Sequence, residues 1–155
     1  MPTTSRQVLL ASRPHGEPTA ANFSIVETPL ADPGPDQVLL KIRYLSLDPY
    51  MRGRMNDAKS YAAPVPVGGV MEGGTVGEVV VSNSERFRPG DIVLSHSGWQ
   101  SHAIADAKDL RKVDPTAAPI STAVGVLGMP GMTAYTGLLT IGQPKPGETV
   151  VVAAA

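Results

Sequence analysis

The sequence predicts a mainly β domain, a small, partly open β-barrel with short helices, on three observations. Proline and glycine are abundant, 15 and 16 of 155 residues, against only two Phe, one Trp and four Tyr. That balance suits short strands joined by tight turns rather than a helical bundle. Short apolar stretches also recur at close spacing between turn clusters such as Asp32-Pro33-Gly34-Pro35-Asp36 and Arg88-Pro89-Gly90-Asp91, the pattern of a small barrel or sandwich. The longest stretch, Gln37 to Leu45, sets Val38, Leu40, Ile42 and Tyr44 against Lys41 and Arg43, as a strand with one buried and one wet face does.

The elements follow in order. Gln7 to Leu10 reads as a first strand, ended by Arg13-Pro14-His15-Gly16, and Phe23 to Glu27 as a second, stopped by Pro29. After the long strand, Asp48-Pro49 breaks the pattern, and Tyr50 to Asp57 is a short helical or irregular excursion rich in Met and Arg. Thr75 to Val81 is the next strand, interrupted by Gly77, a glycine that marks a bulge or a close backbone approach. Ile92 to Leu94 and Trp99 to Ala105 supply two more.

The character changes after Asp114-Pro115. Pro119 to Val126 reads as a short helix. Met132 to Ile141 reads as a longer one, with Met132, Tyr135, Leu138 and Leu139 on one face, Gly142 past its end and Pro144 beyond. Thr149 to Ala153 is continuously apolar, which fits a parallel strand covered on both faces. Such a strand needs helices and neighbouring strands, so the expected division is a barrel domain over residues 1–118 and, over 119–155, helices and the first strand of a truncated α/β domain.

Composition excludes several function classes. Net charge is −1 with both signs interspersed, so neither nucleic acid nor an anionic membrane surface is an expected partner. There is no cysteine, hence no disulfide, thiolate metal site or thiol nucleophile. The N-terminal residues lack an apolar signal core, and no apolar run approaches the roughly 20 residues that cross a bilayer. A cytoplasmic location is expected.

Three stretches carry a resemblance: Leu45-Ser46-Leu47-Asp48-Pro49-Tyr50-Met51-Arg52-Gly53; Gly73 through Val81 to Pro89-Gly90-Asp91 and Gly98-Trp99; and Leu127-Gly128-Met129-Pro130-Gly131-Met132-Thr133-Ala134-Tyr135. Together they resemble the zinc-independent medium-chain dehydrogenase/reductase superfamily, in its leukotriene B4 12-hydroxydehydrogenase, prostaglandin reductase and curcumin reductase branch. The resemblance implies a GroES-like barrel followed by a Rossmann domain that binds NADP(H), and reduction of the carbon–carbon double bond of a small lipophilic enone. It also implies a homodimer when full length. The strand at Val150–Val152 then leads toward a glycine-rich dinucleotide loop, so this chain alone is expected to be inactive. Quinone or enoyl-thioester reduction is the nearest alternative, and a non-catalytic docking or oligomerisation module the alternative of another class.

The candidate residues follow from the chemistry. Zinc-dependent members place a Cys where this chain has Leu47-Asp48-Pro49-Tyr50. Spacing brings no carboxylate to His96 and His102, which read as surface or turn histidines, so no metal site is expected. Hydride addition to an enone builds charge on the carbonyl oxygen, which then needs a preorganised donor. Tyr50, at a strand end, is the candidate donor and substrate contact, or else a ring packed on the barrel rim. Arg52 reaches a substrate carboxylate or a cofactor phosphate, or else is a solvated surface arginine. Tyr61, in the loop from Ser60 to Pro66, lines the pocket or anchors its own loop. Trp99 walls the pocket, as the resemblance favours, or packs in the core. By resemblance Met129 and Thr133 lie near the nicotinamide, the local reading being a helix start with a core methionine.

Overall fold

The computed structural model describes residues 3–153. Its spine is β3 (Gln37–Leu45), which pairs antiparallel with two strands at once: Val38 to Leu45 with β4 (Thr75–Ser82), and Gln37 to Lys41 with β6 (His102–Asp106). β4 pairs in turn with β5 (Ile92–Ser95), and β5 with the short β7 (Arg111–Lys112). The resulting sheet has the order β6-β3-β4-β5-β7. A separate hairpin joins β1 (Thr4–Leu10) to β2 (Phe23–Pro29). The chain is thus mainly β with short helices, as expected. Among the described residues the two edges of the larger sheet, β6 and β7, do not pair with each other, so a closed barrel ladder is not seen.

The segment expected as one strand from Trp99 to Ala105 serves both sheets. Val8 N–H donates to the Trp99 carbonyl at 2.9 Å, and Ser101 N–H to the Arg6 carbonyl at 2.9 Å. From His102 onward the same segment pairs with β3. The chain turns this corner beside Gly98, whose φ is +76° and where a β-carbon would collide with the Met71 carbonyl oxygen. Only glycine combines that conformation with that approach.

Two apolar clusters result. Val38 and Leu40 of β3 meet Val79, Val93, Phe87, Ala107 and Leu110 inside the larger sheet. Leu10, Met55, Val65 and Met71 form a second cluster, with Phe23 and Trp99 against it. The alternation read in β3 holds for Val38 and Leu40. It fails at Tyr44, which is exposed, and at Leu39, which is buried. The pairing shifts between Ile42 and Tyr44 opposite Gly77, so Arg43 is the extra residue of a bulge.

The C-terminal elements differ from expectation at their boundaries. Ile120–Val124 is a 3-10 turn. The longer helix opens at α2 (Met129–Tyr135), with Pro130 in its first turn, where a missing N–H breaks no helical bond. It continues as a wider π-helical stretch, Thr136–Gly142, ended by Gln143 in the left-handed conformation. The face of Met132, Tyr135, Leu138 and Leu139 is exposed. Val150 to Val152, expected as a strand, are unpaired and exposed. A strand is defined by ladder bonds to neighbours, and none lies alongside among the described residues.

Replacing Gly98 by Ala should lower unfolding stability by roughly 1–3 kcal/mol. Urea denaturation would show an earlier midpoint, and an unchanged midpoint would contradict the close approach at this corner.

Candidate functional site

The site begins where β3 ends. Ser46 N–H still donates to the Gly74 carbonyl at 2.9 Å, after which Asp48-Pro49 ends the strand and starts a helix. This helix, α1 (Tyr50–Arg54), has Pro49 as its N-cap residue in helical conformation. Met51 N–H and Arg52 N–H reach back to the Asp48 and Pro49 carbonyls at 3.1 and 3.2 Å. A helix this short gains little from its own bonds. It is anchored by Met51 and Met55, both buried and four residues apart. Gly73 makes room for that anchor: a β-carbon there would lie 2.8 Å from the Met51 methyl carbon and 2.9 Å from Leu45 Cδ1. Residues i and i+4 share a helix side, so with the methionines inward Tyr50 and Arg54 fall together on another.

Two adjoining clefts open on that side. One, with about 350 Å3 of empty space, lies between Ser46, Asp48 and Tyr50 on one wall and Ala123, Val124, Met129 and Pro130 on the other. The second, with about 580 Å3, is lined by Tyr50, Arg54, Tyr61, Glu72, His96 and Met129. Tyr50, His96 and Met129 belong to both. The Tyr50 phenol holds its proton above the ordinary tyrosine range, first because burial disfavours the phenolate and then because Glu72 and Asp48 repel it, against a smaller opposing pull from Arg54. Like any tyrosine it is a neutral O–H donor at neutral pH, here beside a cleft.

The structure brings together three of the residues singled out in the sequence, Tyr50, Tyr61 and Met129. Arg52 points elsewhere. Its guanidinium donates to the Gly16 carbonyl at 2.8 and 3.0 Å, the Pro14 carbonyl at 3.2 Å and Asn56 Oδ1 at 2.6 Å, clamping the turn after β1. Trp99 lies against the second apolar cluster, its ring stacked on Phe23 at 5.7 Å between centroids. Its indole nitrogen is buried without a hydrogen-bond partner among the described residues. Thr133 Oγ1 donates back along α2 to the Met129 carbonyl at 2.9 Å. Sequence reasoning missed Glu72, Arg54 and His96. Glu72 and Arg54 carried no motif, and His96 was read as a surface or turn residue. The one available signal was the i, i+4 spacing of Tyr50 and Arg54.

For a metal, no three His, Asp or Glu side chains converge among the described residues. His102 is held on β6 opposite Lys41, its pKa lowered by burial and by that lysine. For a flat, weakly polar ring the first cleft is suitable: Val124, Met129 and Pro130 make an apolar wall and Tyr50 a polar one. Among the described residues no glycine-rich strand-to-helix turn offers backbone N–H groups to a pyrophosphate.

Residues 6–113 match the family described as the N-terminal domain of oxidoreductase. The chain is 58% identical to the NADPH-dependent curcumin reductase of Escherichia coli over 151 residues, 97% of this chain and 44% of that protein. It is 42% identical to prostaglandin reductase 1 of Oryctolagus cuniculus over 144 residues, 91% of this chain and 39% of the relative. The crystal structure of CurA from Vibrio vulnificus in complex with NADPH superposes with a TM-score of 0.86 at 52% identity, over 92% of this chain and 42% of that one. The chain belongs to the N-terminal oxidoreductase-domain family, in the curcumin and prostaglandin reductase branch of the medium-chain superfamily. It spans less than half the length of these relatives.

Because the folded state holds the Tyr50 proton more tightly than the unfolded chain, stability is full below the unfolded tyrosine value near pH ~10 and is lost as pH rises through the higher folded value. Spectroscopic titration should show one phenol ionising later than free tyrosine, and Tyr50→Phe should remove that component and flatten the alkaline loss of stability. A Tyr50 phenol ionising at or below the free-tyrosine value would contradict the site's electrostatics.

Proposed function

We propose that this chain is the substrate-side part of an NADPH-dependent reductase of carbon–carbon double bonds in α,β-unsaturated ketones and aldehydes, and that the clefts beside Tyr50 receive the enone. The observation that carries the reading is the place of the Tyr50 phenol, a neutral O–H donor at neutral pH, on the lining shared by both clefts. The names of the relatives supply the reaction class, since they are NADPH-dependent curcumin reductase and prostaglandin reductase. NADPH, when bound, supplies the hydride that adds to the substrate's β-carbon. Met129, at the start of α2, and Thr133, one turn on, would hold its nicotinamide end.

This chain's own residues do the rest. Val124, Met129 and Pro130 offer the apolar wall against which the reacting carbons pack, and Tyr61 walls the second cleft. As negative charge builds on the carbonyl oxygen, the Tyr50 hydroxyl donates a hydrogen bond to it. Retaining its own proton matters, because a phenolate would repel the developing enolate. The α-carbon then takes a proton that originates in solvent. Arg52 and Trp99 serve the scaffold in this reading, and zinc has no part in it.

In the whole protein that carries this chain, NADPH oxidation should depend on added enone and persist after chelator treatment. Tyr50→Phe should lower kcat roughly 100-fold. Unchanged kinetics in that variant would remove Tyr50 from the reaction, and loss of activity with chelator would overturn the zinc-free reading.

A further inference from the structure

We propose that Arg54 is the positioning residue of this site: by lying between the rings of Tyr50 and Tyr61 and against the Glu72 carboxylate, it holds segment 57–64 at the mouth of the second cleft and sets the Tyr50 hydroxyl for the substrate. The proposal rests on the reductase reading given above and names what keeps that site assembled.

Four residues from three segments meet at this one side chain: Tyr50 on its own helix, Tyr61 and Ala63 on the following loop, and Glu72 ahead of β4. The guanidinium carbon lies 5.0 Å from the Tyr61 ring centroid and 6.0 Å from that of Tyr50. Nη1 donates to the Ala63 carbonyl at 3.0 Å. Nε lies 2.5 Å from Glu72 Oε1. Both atoms are buried, and neither has an aligned hydrogen bond, so this is a contact of charges rather than a directed bond. The main chain of Arg54 holds the same segment from its far end, its carbonyl accepting from Val65 N–H at 2.8 Å. The Arg54 side chain is only 13% exposed.

Tyr61 shows why an anchor is needed. The residue is 83% exposed, so burial alone does not fix its ring, and the Arg54 cation over that ring is its ordering contact. An arginine suits this junction where a lysine does not, because a planar fork stacks on rings while its N–H groups bond sideways. The groups that face Tyr50 are Asp48 before α1, Arg54 on α1, Tyr61 on the loop, Glu72 ahead of β4, His96 after β5 and Met129 on α2. Glu72 and Asp48 favour the neutral phenol and Arg54 opposes them, so Arg54 influences Tyr50 by charge as well as by contact.

The test uses the whole protein with Arg54→Leu and Arg54→Lys, read three ways. Tyr50 ionisation is followed as phenolate absorbance, each protein minus its Tyr50→Phe counterpart. Order in the segment is followed as the rate of tryptic cleavage after Lys59. Steady-state kinetics with an enone separate KM from kcat. In Arg54→Leu, Tyr50 should ionise later than in the parent, cleavage after Lys59 should be about tenfold faster, and KM should rise about tenfold with a smaller change in kcat. Arg54→Lys keeps the charge, so it should restore the ionisation while leaving the segment more readily cut. If Arg54→Leu does not fold, Arg54→Lys alone decides, because parental cleavage in that variant overturns the proposal. Parental ionisation and parental cleavage in Arg54→Leu overturn it equally. Should both shift while the parent reduces no enone, the positioning role stands and the proposed reaction falls.

Discussion

The double pairing of β3 is the constraint on which the rest of the molecule depends. One strand supplies ladder partners to β4 and β6 together, and its inward residues Val38 and Leu40, both fully buried, sit in the first apolar cluster. A slip of one residue would turn those side chains outward and break two ladders at once. The β3–β4 pairing shifts between Leu39 and Leu40, where Val80 is the extra residue, and shifts back at Arg43, where the Arg43–Glu78 ion pair bridges the two strands. The double pairing extends to Ile42, whose N–H donates to the Ser101 carbonyl, and the last residues of β3 are held by β4 alone, from which Ser46 to Tyr50 leave the sheet.

The chemistry at that end is built by subtraction and by spacing. Gly73 removes a side chain so that Met51 can seat α1 against β4's leading segment. Once Met51 and Met55 face inward, the i, i+4 rule places Tyr50 and Arg54 together on the cleft side. Glu72, adjacent to Gly73 in sequence, is thereby brought to Arg54. The local turn that shapes the helix thus also sets the electrostatics of the phenol, through burial first and the carboxylates second.

Much of the fold was legible from local pattern. Period-two alternation located β3, and turn clusters bounded β2, β4 and β5 within a few residues. Pattern reading gave out where tertiary contact decides. Trp99 to Ser101 looks like one strand with His102 to Asp106, yet it changes partners at the corner beyond Gly98. The two-residue β7 has no pattern of its own and exists only as the partner of β5. Thr149 to Ala153 carries strand-like composition without a neighbour to pair with. In the site, Tyr50 was visible because a strand end followed by Asp-Pro announces a change of direction. Glu72 and Arg54 were not, because their roles arise from long-range contact. Arg52 and Trp99 were singled out for chemical type, and the structure uses that chemistry to clamp the turn after β1 and to pack beside the second cluster.

The central claim is that the carbonyl of the substrate sits against the Tyr50 hydroxyl, between α1 and the start of α2. A crystal structure of the whole protein with oxidised cofactor and a saturated ketone product tests it most directly. The ketone oxygen is expected about 2.6–3.2 Å from Tyr50 Oη, with the adjoining carbons against Val124 and Met129. A ketone bound with its oxygen on another group, and Tyr50 left facing solvent, would contradict it.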